Sequence, residues 1–212
     1  MTRKKKMCLA VCMLAGFVLW TVALCLVDVQ AIGPRESAVG LATVNGFFHD
    51  LTGVHMWLYH VTDWLGLVPI GVVIGFAVLG LIQWIKRRRF LQVDRSILVL
   101  GGFYVVVMAV YILFEMLVIN RRPVLIDGFL EASYPSSTTV LVMCVIPTAM
   151  LQLHTRIKKR VFRRCVMAVI GAFIAFMVIG RLISGVHWLT DIIGGALLSA
   201  GLVLMYDCLA QP

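Results

Sequence analysis

Six stretches of about twenty mostly apolar residues recur along this 212-residue chain, and no other feature limits its fold so tightly. A run of that length matches the ~30 Å hydrocarbon core of a bilayer at ~1.5 Å per helical residue. In lipid every backbone amide must find its partner within the bundle, so such runs are helices. The spans read as Met7–Val27, Leu67–Ile85, Ile97–Ile119, Thr139–Leu153, Cys165–Ser184 and Leu189–Leu209, the fourth being short. The first follows "TRKKK" and has the look of a signal peptide. Its apolar run exceeds the ~7–15 residues of a signal core, so it is read as a span that stays. Composition agrees, with 14% charged residues against about 25% in a soluble domain. The expected fold is all-α: one polytopic membrane bundle over 1–212, with a span and outer segment in 1–69 and a core in 70–212.

The basic residues orient it. "RKKK" at 3–6, "KRRR" at 86–89 with Arg95, and six residues of "RIKKRVFRR" at 156–164 make fifteen of the nineteen lysines and arginines. In a six-span chain they all fall on one side, and positively charged loops stay in the cytoplasm. Both termini are then cytoplasmic, and the protein belongs in a cell membrane. The net charge of +9 is mainly a topology signal and carries no implication of nucleic acid. Six cysteines lie in or beside apolar runs without paired or metal-type spacing; they read as small buried residues outside any disulfide framework. The oligomeric state has no signature.

Residues 28–66 form the longest outer segment. "GFFHDLTGVHMWLYHVTDWLG" mixes aromatic rings with His49, His55, His60, Asp50 and Asp63. It reads as one or two helices lying at the interface, with a role in lining a lipid entrance as the other reading.

Arg35, Arg121, Arg122 and Arg181 fall at the outer face, where the orientation rule does not explain them. Three of them sit in stretches that converge on one surface: "EMLVINRRP" (115–123), "YPSSTT" (134–139) and "RLISGVHWLTD" (181–191). His187 and Asp191 are four apart, on one face of a helix. A carboxylate accepting from one imidazole nitrogen fixes the tautomer and leaves the other nitrogen available as a nucleophile. Both residues are read as sitting in the first turn of the last span, where helix amides favour an anion. Arg122 and Arg181 offer planar forks of donors to phosphate. Ser136 and Ser137 offer hydroxyls and helix-start amides. Singly, each feature has a plainer reading: a snorkelling arginine, an interfacial histidine, an N-cap. Their meeting on one side favours chemistry.

These residues resemble a known family. "RP" at 122–123, "PSS" at 135–137, and Arg181, His187 and Asp191 at their mutual spacing are similar to the motifs of the type 2 phosphatidic acid phosphatase superfamily, over roughly residues 70–210. That family includes lipid phosphatases, polyprenyl diphosphate phosphatases and vanadium haloperoxidases. The resemblance implies a phosphatase-like core of six helices, with its site on the outer or lumenal side. It implies His187 as a nucleophile forming a phosphohistidine and Asp191 as its orienter. Arg122 and Arg181 would grip phosphoryl oxygens with amides near Ser136 and Ser137. No cofactor is implied, and no metal is expected because arginines and amides supply the positive field.

Three positions depart from the pattern. The family's first motif opens with lysine where this chain has Glu115. Its second ends in histidine where this chain has Thr138. Its third has serine before the arginine where this chain has Gly180. The absent histidine is the family's general acid, worth about 10²–10⁴ in rate. A phosphate leaving from a diphosphate needs that proton far less than an alkoxide does. The expected substrate is therefore a lipid diphosphate such as polyprenyl diphosphate, at the outer face of a bacterial membrane. The alternative is a catalytically impaired homologue that binds or helps translocate an anionic lipid phosphate. Glu115 and Arg121 are possible modulators, with Glu115 expected to be buried beside an arginine.

Overall fold

The computed structural model describes residues 2–210. Its helices are α1 (Arg3–Leu26), α2 (Ala42–Thr52), α3 (Met56–Leu65), α4 (Leu67–Arg87), α5 (Arg95–Leu117), α6 (Ser137–Arg156), α7 (Arg160–Ile183) and α8 (Leu189–Ala210). Among the described residues six helical stretches are long and apolar enough to cross a membrane; five lie at the positions read from the sequence, and the second, Met56–Arg87, begins eleven residues earlier than the expected Leu67. The protein is thus an all-helical, multi-pass membrane protein, with no regular strand among the described residues.

α6 and α8 form the centre: half of each span is buried, whereas the other spans present most of their surface outward. Close approach in lipid favours small residues. A Cβ on Gly194 would lie 2.4 Å from the Tyr134 ring, and one on Gly201 would lie 2.7 Å from Leu14. α1 runs antiparallel along α8, joined by Lys6–Asp207 at 2.5 Å and by Trp20 Nε1 donating to the Thr190 carbonyl at 3.1 Å. Phe17, Leu24, Leu100, Phe103, Tyr134, Leu198 and Tyr206 fill the main core between these helices.

Two sequence readings need correction. The outer segment does form two helices, but α3 runs almost directly into α4 through Gly66, which is itself helical (φ −60°, ψ −18°). α3 packs on α7, with Thr62 and Leu58 against Gly180, because a glycine there leaves room for a neighbouring helix. Of the cysteines, only Cys144 and Cys208 are buried; Cys8, Cys12, Cys25 and Cys165 are exposed on apolar helix surfaces. In a bilayer a small apolar thiol costs little on the lipid-facing side.

Candidate active site

The loop 118–136 and the turn 184–188 meet the start of α6 at one end of the bundle. The loop folds back on itself: Arg122 N–H donates to the Glu131 carbonyl at 3.1 Å and Ser133 N–H to the Asn120 carbonyl at 2.9 Å. The turn depends on Gly185, whose φ is +69° and whose added Cβ would sit 2.0 Å from the Gly53 carbonyl oxygen. This turn moves His187 off the helix. α8 begins at Leu189, so His187 precedes the first turn in which it was expected.

Asp191 occupies the third helical position and reaches back to accept the Trp188 N–H at 2.9 Å, half of a capping box. Asn45 on α2 completes the cap, accepting the Thr190 N–H at 3.2 Å. Asp191 therefore stabilises the helix start and also faces the imidazole.

The imidazole Nδ1 lies 3.6 Å from Asp191 Oδ2 and 3.4 Å from Ser133 Oγ. Ser133 in turn donates to Asp191 Oδ2. With its proton on Nδ1, His187 donates to Ser133, and Ser133 hands the polarity on to the carboxylate. Nε2 is buried and has no hydrogen-bond partner among the described residues. Burial drives the His187 pKa down to about 4; the Asp191 bond opposes this, and the Arg122 charge adds to it. The ring is neutral at physiological pH, with a lone pair on Nε2.

Arg122 and Arg181 both lie near enough for their charges to act on the imidazole. The Tyr59 ring of α3 lies beneath both guanidiniums, 5.9 Å from Arg122 Cζ and 4.8 Å from Arg181 Cζ. Cation–π contact of this kind holds an arginine without using its hydrogen-bond donors. Arg181 Nη2 donates to Asp63 Oδ1 at 2.9 Å and to Thr138 Oγ1 at 2.5 Å. Arg122 Nε lies 3.1 Å from Glu131 Oε2, an ion pair without hydrogen-bond alignment. Nη1 of each arginine is buried and unpartnered among the described residues.

The remaining expected residues divide. Ser137 lines the cavity, while Thr138 is buried against Arg181. Ser136 is the buried N-cap of α6; its amide is spent on the Asp191 carbonyl at 3.2 Å, so it is not an oxyanion donor as expected. Arg121, the possible modulator, donates to the Leu130 carbonyl at 3.0 Å and braces the loop. Glu115 is exposed, not buried with an arginine; Arg122 takes Glu131 instead, because the Arg122–Glu131 backbone bond sets the two side by side. None of His49, His55 and His60 lines the cavity beside His187. The His49 ring instead meets the Trp188 ring at a tilt of 57°, with centroids 5.5 Å apart. Tyr59, Asp63, Glu131, Ser133 and Asn45 escaped the sequence reading as site residues. For Asp63 a signal existed, a carboxylate within an aromatic outer segment.

A cavity of about 310 Å³ joins these groups, walled by Tyr111, Glu115, Arg122, Glu131, Ser137 and His187. Tyr111 and Ser137 are shared with an apolar crevice of about 320 Å³ between α4, α5 and α6. Val73, Tyr104 and Met108 carry that crevice into a further one of about 610 Å³ along α4 and α5. A polar chamber therefore shares walls with an apolar lane along α4 and α5.

The family model of the PAP2 superfamily matches residues 102–210, from within α5 through all three motifs. No curated protein matches the chain in sequence. The fold is similar to the crystal structure of the first transmembrane PAP2 type phosphatidylglycerolphosphate phosphatase from Bacillus subtilis. The TM-score is 0.61 at 16% identity, over 93% of this chain and 94% of that one.

Proposed function

The chain belongs to the PAP2 superfamily, and from that premise we propose that it is a membrane phosphatase for a lipid phosphate, with a polyprenyl diphosphate as the preferred class, acting through a phosphohistidine on His187. The observation that carries the reading is the unpartnered Nε2 of a buried neutral histidine, backed by Ser133 and Asp191 and sharing a cavity with Arg122. The membrane phosphatase of similar fold from Bacillus subtilis supports the same class of reaction.

In the first step the Nε2 lone pair bonds to the terminal phosphorus. The bond from that phosphorus to the bridging oxygen breaks, and its electron pair leaves with the lipid monophosphate. Nη1 of Arg122 and of Arg181 gathers charge on the equatorial oxygens, helped by first-turn amides of α6 at Ser137 and Thr138. Asp191 and Ser133 steady the imidazolium that forms. Water then adds to phosphorus, the N–P electron pair returns to Nε2, and inorganic phosphate departs with the water's protons.

Two features favour a diphosphate. Thr138 Oγ1 already accepts from Arg181, and a hydroxyl of ordinary acidity does not protonate an alkoxide at useful cost. A departing phosphate carries its charge without that proton. The apolar lane from Tyr111 down α4 and α5 supports a long hydrocarbon chain on the substrate. The fifteen basic residues at the far end of the bundle support an outward-facing site.

The test is phosphate release by the purified protein from matched lipid mono- and diphosphates. Faster release from the diphosphate is expected. Binding of both without release from either means a lipid-phosphate binder, the reading that the carboxylate at Glu115 favours.

A further inference from the structure

A lipid phosphate has two ends, and the protein offers a different wall to each. The phosphoryl group suits the polar chamber that holds Arg122 and His187, and the hydrocarbon chain suits the apolar crevice between α4, α5 and α6. The oxygen that joins the two ends then lies where chamber and crevice meet. Among the described residues only Tyr111 and Ser137 line both. In a monophosphate that oxygen is the one whose bond to phosphorus breaks, and it is the one that needs a proton. Thr138, at the place of the missing acid, lines the crevice but not the chamber, and Arg181 holds its hydroxyl. Glu115, one turn beyond Tyr111 on α5, borders the chamber alone.

The two residues at this seam differ in acidity. A phenol ionises roughly six decades more readily than water or an alcohol, so a tyrosine protonates an alkoxide downhill where a serine gains nothing. Other tyrosines are excluded by their contacts. Tyr104, Tyr134 and Tyr206 commit their hydroxyls to Thr148, Thr21 and Gln152, and Tyr59 lies beneath the two guanidiniums. Tyr111 is exposed and has the Arg122 charge near it, but no hydrogen bond among the described residues. We propose that Tyr111 is the proton donor for lipid monophosphates, protonating the ester oxygen as it leaves phosphorus. The inference rests on the phosphatase reading of His187. The Nε2 lone pair bonds to phosphorus, the P–O ester bond breaks, and its electron pair takes the Tyr111 proton. A lipid alcohol leaves, and a phenolate remains beside Arg122. Water then bonds to phosphorus and returns one proton to the phenolate, while the N–P pair goes back to Nε2. A diphosphate needs the proton less and stays the faster substrate, but the monophosphate becomes a substrate too.

The test compares two phosphates that carry the same hydrocarbon tail. In one the tail is esterified directly, so an alkoxide must leave. In the other a nitrophenyl ring joins tail and phosphate, and its phenolate leaves without a proton. With the intact protein in detergent and in excess over substrate, a single turnover of leaving-group release reads the first step alone. Tyr111→Phe is expected to slow release of the alkyl alcohol by about 10²–10⁴ and to leave release of the nitrophenol little changed. Equal slowing of both overturns the inference, because that is what the loss of a merely structural group would do. Slowing of neither overturns it as well. So does a native protein that cleaves the nitrophenyl ester or the matched diphosphate but not the alkyl phosphate, and there the phosphatase stands without this acid. A native protein that cleaves none of the three removes the phosphatase reading and the inference with it.

Discussion

Ser133→Ala removes one hydroxyl and tests how the nucleophile is held. Ser133 Oγ donates to Asp191 Oδ2 and lies 3.4 Å from His187 Nδ1, closer than the 3.6 Å between Nδ1 and the carboxylate itself. The serine thus carries much of the coupling between the imidazole and the carboxylate. A hydrogen bond to a charged group contributes about 1.5–3 kcal/mol. At 1.36 kcal/mol per decade, that is roughly 10–150-fold in rate if the bond is needed only when the imidazolium forms. Asp191 keeps the Trp188 N–H, so the helix start and the fold should survive. Steady-state phosphate release should show kcat down by at least about tenfold with KM little changed, because the proposal assigns the grip on phosphate to Arg122 and Arg181. An unchanged kcat refutes the positioning role. A raised KM at constant kcat means that Ser133 touches the substrate instead.

Other outcomes follow from the same geometry. Burial lowers the His187 pKa to about 4, and the proposed mechanism uses the neutral ring as nucleophile, so kcat/KM should stay level as pH falls through the ordinary histidine range, then drop with a midpoint near 4; a midpoint near 6.5 contradicts the burial argument. Thr138→His is the obvious way to restore a proton donor, but Thr138 is buried with its hydroxyl 2.5 Å from Arg181 Nη2. The larger ring should displace that arginine and raise KM for the monophosphate, and a rescued monophosphate rate would show that the pocket yields. A cysteine at exposed Phe129, in a background without native cysteines, should react with an impermeant thiol reagent from outside the cell; labelling from the cytoplasmic side alone would invert the orientation.

The spans were legible because lipid imposes one length and one polarity on every helix, and no tertiary context overrides either. The three motif stretches were legible because ionisable residues at span ends stand out against apolar runs. What stayed hidden depends on pairing across distance. Asp63 and Arg181 are 118 positions apart, and only the packing of α3 on α7 brings them together. Tyr59 is one aromatic among many in its segment until two guanidiniums are found above it. Ser133 sits one residue outside the stretch that drew attention, in a loop whose fold no periodicity encodes. Glu115 was misplaced for a related reason: its chemistry suggested an arginine partner, but its place on α5 leaves it exposed while the loop backbone delivers Glu131 to Arg122.

The central claim is that His187 takes the phosphoryl group. The most direct measurement is rapid quenching of the protein with a lipid diphosphate radiolabelled on its terminal phosphate, followed by mapping of the label. The account predicts an alkali-stable, acid-labile adduct on the peptide carrying His187, absent from a folded His187→Ala protein. Label-free protein with normal turnover, or turnover undiminished in His187→Ala, would contradict it.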